Sequence, residues 1–227
     1  MPQLHFPDQF QENTRHASAF RIVCKNALGP IGPAKSALDS EQYSSVLRGA
    51  YCLIVASVDA YLTNYFLDAL TELSLTKANS DDSSPFITKV NSFLKNSCRV
   101  SNKNVKSIKI GTPDFEKDEL LSALSGVTFN KGFQFASIYG LLFEEITEKE
   151  FWSKCAPSFS NRRNSWPMET WWLVVDRRNA IMHSGDLDVR GIELREFEEE
   201  FVENALLIAV EVVSIFERQA KRVFHNG

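Results

Sequence analysis

The run Arg48-Gly49-Ala50-Tyr51-Cys52-Leu53-Ile54-Val55-Ala56-Ser57-Val58-Asp59-Ala60-Tyr61-Leu62 decides the fold class of this chain. It belongs to a longer pattern in which Val46, Leu47, Ala50, Tyr51, Ile54, Val58, Leu62, Tyr65, Ala69 and Leu73 recur at the helical period. Spacing of that kind predicts one long amphipathic helix over about 41–75. Asp39 or Ser40 can cap its first turn. The polar run Lys77-Ala78-Asn79-Ser80-Asp81-Asp82-Ser83-Ser84 ends it.

Two further long helices follow from the same kind of evidence. Pro167 opens one, Glu169 suits its first turn, and Gly185 closes it. The other runs from Ile192 to Phe224 on a stripe of Leu194, Phe197, Phe201, Ala205, Ile208, Val212 and Ile215. Residues 8–28 predict a shorter first helix, which Gly29-Pro30-Ile31-Gly32-Pro33 closes as a hinge. Between 76 and 160 the pattern loosens. Phe86 to Phe93 looks helical, Val105 to Ile110 alternates like a short strand, and Asp114–Leu124 and Glu145–Cys155 are helix candidates.

Three long helices with one apolar face each must bury those faces against one another. The expected architecture is all-α: an up-and-down bundle in one domain, 1–227, with an N-terminal helix and hinge at 1–33 and an irregular insertion at 76–160.

Composition narrows the function classes. A chain of 227 residues that is 44% hydrophobic and 24% charged is neither disordered, collagen-like nor a disulfide scaffold. Its net charge of −4 gives no whole-molecule case for an anionic polymer or membrane. Cys24, Cys52, Cys98 and Cys155 form no C-x-x-C pair, and His5, His16 and His225 have no companions at ligand spacing. No metal and no cofactor are expected. The apolar run Ala50–Val58 is about half the roughly 20 residues that a spanning helix needs, so a cytoplasmic chain with no membrane partner is expected.

Charge is unevenly distributed. Between Ser83 and Pro113 stand Lys89, Lys95, Arg99, Lys103, Lys106 and Lys109 without an acid, whereas Glu193 to Glu203 holds six acids against Arg195. Solvated surface is the ordinary explanation of both. The functional one makes Lys103, Lys106 and Lys109 part of a phosphate-tracking patch.

The chemistry concentrates in Trp171-Trp172-Leu173-Val174-Val175-Asp176-Arg177-Arg178-Asn179-Ala180-Ile181-Met182-His183-Ser184-Gly185. With Val175 at zero on a helical wheel, Met168, Trp171, Trp172 and Met182 fall between about −40° and +60°, the expected buried stripe. Trp171 and Trp172 are therefore expected in the core, with Asn179 inside the stripe as glue or as an orienter. Arg178 lies at about −60° and His183 at about +80°, the two edges, while Arg177 at about 200° is expected to face solvent. Arg178 and His183 thus diverge by about 140°, which favours a site assembled by two copies across a two-fold axis. The plain alternative is an arginine snorkelling from a core edge and a histidine bonded to a carbonyl near a helix end.

Arg178, Asn179, three further residues and His183 resemble the signature of the HEPN superfamily, an arginine followed by four to six residues and a histidine. The chain resembles the RiboL-PSP-HEPN group over roughly 40–75 and 165–222, with Arg48–Leu62 resembling the family's first core helix. The resemblance implies a metal-independent endoribonuclease acting on RNA as a homodimer, in a defence or toxin system, with a protein regulator or antitoxin as a further partner. Arg178 would stabilise the phosphorane charge and His183 would transfer a proton, its place near a helix C-terminus favouring the acid role. Asp59, the only acid between Glu41 and Asp68, is either a partly exposed polar residue or a partner that holds Arg178. The alternative function is a non-catalytic HEPN-like dimer that binds a nucleotide or a partner, or neutralises the toxin of a two-gene system.

The basic segment yields a direct test. Neutralising Lys103, Lys106 and Lys109 weakens RNA binding and lowers its salt slope by up to about one unit per lost phosphate contact, measured by titration at several salt concentrations. An unchanged slope reduces the segment to solvated surface.

Overall fold

The computed structural model describes residues 15–77, 88–90, 92–93, 118, 128–144, 146–155, 167–187 and 193–224. Among them the regular elements are helices: α1 (Arg15–Leu28), α2 (Ile31–Ala37), α3 (Ser40–Lys77), α4 (Gly132–Leu142), α5 (Glu148–Cys155), α6 (Pro167–Ser184) and α7 (Glu199–Phe224). The fold is an all-α bundle, as the helical periods predict. Helix α3, 38 residues long, is its axis, and α1, α2, α4, α6 and α7 all pack on it. Its start is capped as expected, by Asp39 Oδ1 accepting from the Gln42 N–H at 2.9 Å.

The apolar stripe of α3 accounts for the core. Leu47, Ala50, Tyr51, Ile54, Val58, Leu62 and Tyr65 are all buried, and Val46 and Ala69 pack at its margin. The α3 window Ser40–Ala69 is also long and apolar enough to cross a membrane, at a mean hydropathy of 1.3. More than half of it, 56%, is buried against the other helices, so bundle packing uses the same apolar side chains.

Aromatic rings join the helices. Phe216 of α7 packs against Tyr65 of α3, Tyr139 of α4 and Phe151 of α5, with centroid separations of 5.8 to 5.9 Å. Phe135 of α4 meets Trp152 of α5 at 5.8 Å and Trp171 of α6 at 5.5 Å. Two buried aromatic side chains also anchor through their polar atoms: Trp171 Nε1 donates to the Asn130 carbonyl at 2.7 Å, and the Tyr51 hydroxyl donates to the Val174 carbonyl at 3.0 Å. The second bond fixes α6 against α3, which matters for everything on α6.

Three expectations change. The first helix closes at Leu28 as expected, but Ile31, Gly32 and Pro33 do not stay a hinge: they open α2, with Pro30 as its N-cap. Proline is tolerated there since first-turn N–H groups have no helical partner to lose. The last helix begins at Glu199 instead of Ile192, because Leu194 pairs with Leu187 in an isolated bridge and Phe197 turns inward. Helix α4 stands in the stretch expected to be irregular, where Gly132 lets its backbone approach Trp152. The strand expected at Val105–Ile110 lies outside the described residues, as does nearly all of the helix expected at Asp114–Leu124.

Phe216→Ala removes the ring shared by α3, α4, α5 and α7. It costs about 3–5 kcal/mol by chemical denaturation, the range for an aromatic side chain cut from a packed core.

Candidate functional site

Helix α6 carries the Arg–His pair, and its rotation decides what each side chain meets. Pro167, Trp171, Val174 and Val175 are the buried positions, an arc of about −100° to 0° on the wheel that takes Val175 as zero. The inward face is thus turned by about 60° from the expected stripe. Trp171 is in the core as predicted. Trp172 is 48% exposed and Met182 61% exposed, contrary to expectation, because the Trp171–Asn130 and Tyr51–Val174 bonds set the helix's rotation.

The same rotation brings Arg178 from the edge of the stripe to its middle. Arg178 is half-buried, and its charge acts on Cys52 and Asp59 of α3. Nη1 donates to Asn179 Oδ1 at 3.0 Å. Among the described residues no other hydrogen bond holds Arg178. Most of its donors remain available to a ligand.

Asp59 is half-buried and does not hold Arg178 by a hydrogen bond; its Oδ1 accepts the Phe129 N–H. Burial pushes the Asp59 carboxyl above the ordinary carboxylate range, while the Phe129 N–H and the Arg178 charge pull it back. Arg178 and Asp59 are therefore linked by charge alone. Burial also raises the Cys52 thiol, with Arg178 opposing.

His183 stands exposed in the last turn of α6, five residues beyond Arg178. That places it about 140° round the helix and about 7.5 Å along it, so one chain does not aim both groups at one point. Lys103, Lys106 and Lys109 lie outside the described residues. Among the described residues no group of three or more His, Cys, Asp or Glu side chains could hold a metal ion.

Arg177 overturns the wheel. Its side chain is only 15% exposed and donates from Nη2 to Asp186 Oδ2 at 2.8 Å and to the Glu196 carbonyl at 2.7 Å. Its guanidinium lies 5.2 Å from the ring centroids of both Phe197 and Phe201. The wheel missed this because the cover comes from the segment leading into α7, which no period in α6 encodes.

Asp186 was not foreseen either, and it is the most connected polar group near the site. It is fully buried and takes three arginines. Arg48 Nε of α3 donates to Oδ2 at 2.9 Å, Arg177 shares that oxygen, and Arg195 donates to Oδ1 from Nη2 at 2.7 Å and Nε at 3.0 Å. Two sequence signals pointed at it faintly: an aspartate directly after the closing Gly185, and Arg48 set inside an apolar stripe.

A cleft of about 550 Å³ opens beside this cluster, at the N-terminal ends of α3 and α7. It is lined by Glu41, Glu196, Glu198, Glu199 and Glu200, and its cations are already engaged. Lys35 is 2.6 Å from Glu199, and Arg48 and Arg195 are on Asp186. Phosphate finds no spare positive charge in that cleft. Arg178 is the arginine of α6 left for a ligand. No family model, curated protein or solved structure matches this chain.

The two adjacent arginines separate by stability. Arg177→Ala strips one of three guanidiniums from a buried carboxylate and uncovers two rings, costing about 2–4 kcal/mol in urea denaturation. Arg178→Ala costs no more than about 1 kcal/mol, since it leaves no buried charge without a partner. Equal losses would contradict this division of roles.

Proposed function

We propose that this chain is a metal-independent endoribonuclease of HEPN type, working as a cytoplasmic homodimer in a defence or toxin system. The observation that carries the proposal is the division between neighbours on α6. Arg177 is absorbed into the core network, whereas Arg178 is oriented by Asn179 yet keeps donors for a ligand.

Bottom-up, the chemistry follows from the two groups. RNA supplies its own nucleophile, the 2′-hydroxyl, which attacks the adjacent phosphorus and forms a 2′-O–P bond. The P–O5′ bond breaks, and the products are a 2′,3′-cyclic phosphate and a 5′-hydroxyl. Negative charge grows on the non-bridging oxygens, where the planar guanidinium of Arg178 offers paired donors. The proton that the attacking 2′-hydroxyl loses passes to solvent water, and His183 delivers the proton that the leaving 5′-oxygen takes up. No step calls for a metal.

The about 140° divergence within one helix is resolved by a second copy, which sets one chain's Arg178 near the other's His183. Exposed Trp172 and Met182 on α6, with Leu53 on α3, supply apolar area for such a seam. The same divergence supports the second reading, a dimer that binds a nucleotide or partner without cleaving it. Cleavage separates the two.

Arg178→Ala and His183→Ala each lower RNA cleavage by about 10²–10⁴-fold in gel assays while the chain stays folded and dimeric in sedimentation. Cleavage survives chelator and leaves the cyclic phosphate. Mixing the two inactive variants restores activity, because one mixed seam then holds an intact Arg178 opposite an intact His183. A strictly monomeric chain, or cleavage that requires magnesium, overturns the proposal.

A further inference from the structure

We propose that Asp186 is a positioning residue for His183, holding the last turn of α6 from beneath while touching no part of the imidazole. Its catalytic consequence rests on the ribonuclease reading; its structural consequence does not.

The end of α6 is an unfavourable place to anchor a functional side chain. Last-turn carbonyls lack helical donors, and helix ends fray. Here the chain leaves the helix through two successive left-handed residues, Gly185 at φ 64° and Asp186 at φ 62°. The glycine takes that conformation freely. The aspartate, which carries a Cβ, adopts it at a steric cost, so residue 186 must be held there.

The main chain supplies part of the hold. The Asp186 N–H donates to the Ala180 carbonyl at 3.1 Å, which closes the final turn over His183. The Asp186 carbonyl accepts the Arg195 N–H at 2.9 Å, and Leu187 bridges Leu194. The carboxylate supplies the rest. Arg48 comes from α3, Arg177 from α6 itself two and a half turns earlier, and Arg195 from the lead-in to α7. The turn bearing His183 is therefore pinned at both ends by one buried group.

Exposure of His183 makes the pin matter. No described neighbour fixes its ring, so its direction is set by the backbone beneath it. A proton donor displaced by about 1 Å loses up to about 10²-fold in rate.

Asp186→Asn is the informative change, because asparagine also accepts the left-handed conformation and only the charge is lost. Arg195→Gln is the gentler companion, since Arg195 is 37% exposed and leaves Arg48 and Arg177 in place. Both are made in the full-length chain. The His183 ring signal is assigned by NMR through its loss in His183→Ala, and amide exchange is followed at residues 181–184. We expect the signal to move in both variants and exchange at 181–184 to rise at least about tenfold, with α3 amides still protected in Arg195→Gln. With RNA, kcat falls by about 10–100-fold while KM stays within about twofold, and Arg195→Lys recovers part of the loss. If Asp186→Asn does not fold, Arg195→Gln and Arg195→Lys decide the matter. An Arg195→Gln variant that is less stable overall but keeps the wild-type His183 signal and exchange at 181–184 overturns the inference. A chain that cleaves no RNA but shows the shifted signal and faster exchange upholds the positioning role and overturns the ribonuclease reading.

Discussion

One buried carboxylate with three guanidiniums is the constraint on which the end of α6 and the approach to α7 depend. Asp186 has no solvent exposure, so its charge must be met inside the protein. Arg48 meets it from α3, far back in the sequence, and Arg177 and Arg195 meet it from α6 and from the segment before α7. Three cations on one anion leave an excess of positive charge. Main-chain carbonyls and ring faces absorb it: Arg48 and Arg177 also donate to carbonyls at 195 and 196, and both lie 5.2 Å from the centroid of Phe197. Phe197 thus turns inward as the cover of an ion cluster, which is why α7 starts later than its apolar stripe suggests.

The cluster also explains how neighbouring arginines come to do different work. Successive residues on a helix point about 100° apart, so Arg177 and Arg178 necessarily face different surroundings. One meets the lead-in to α7 and closes the core there. The other meets α3 beside Cys52 and Asp59 and keeps its fork largely uncommitted. An arginine that already satisfies a buried carboxylate cannot be lent to a phosphate without exposing that carboxylate's charge to the core. Structure and candidate chemistry are thereby assigned to separate side chains.

Electrostatics divides the surface in the same way. The cleft between the starts of α3 and α7 is rich in glutamates, and its cations are engaged. Placing acids there suits two helix N-termini, whose unsatisfied N–H groups favour negative charge. Four acids of the run Glu193–Glu203, namely Glu196, Glu198, Glu199 and Glu200, line that cleft. The ligand-facing candidate lies elsewhere, on the α3–α6 side, where Arg178 stands near a carboxyl whose burial favours its neutral form.

What the amino-acid sequence determined by itself was everything that repeats locally. The 3.6-residue stripes of α3 and α7, the Asp39 cap and the opening and closing of α6 by Pro167 and Gly185 all follow from neighbours within a few turns, so the all-α bundle was legible. The motif Arg178–His183 was legible too, as was its inability to converge within one helix, because both are properties of spacing. Tertiary structure alone decided the rotation of α6 about its axis, and with it the exposure of Trp172 and Met182 and the burial of Arg177. That rotation is set by the Tyr51–Val174 and Trp171–Asn130 bonds and by Asp186, whose partners lie 138 residues back at Arg48 and nine residues either side at Arg177 and Arg195. A periodic pattern states which face of a helix is apolar on average. It carries no term for a buried charge whose partners arrive from elsewhere in the chain, and such a charge is costly enough to turn the helix toward them.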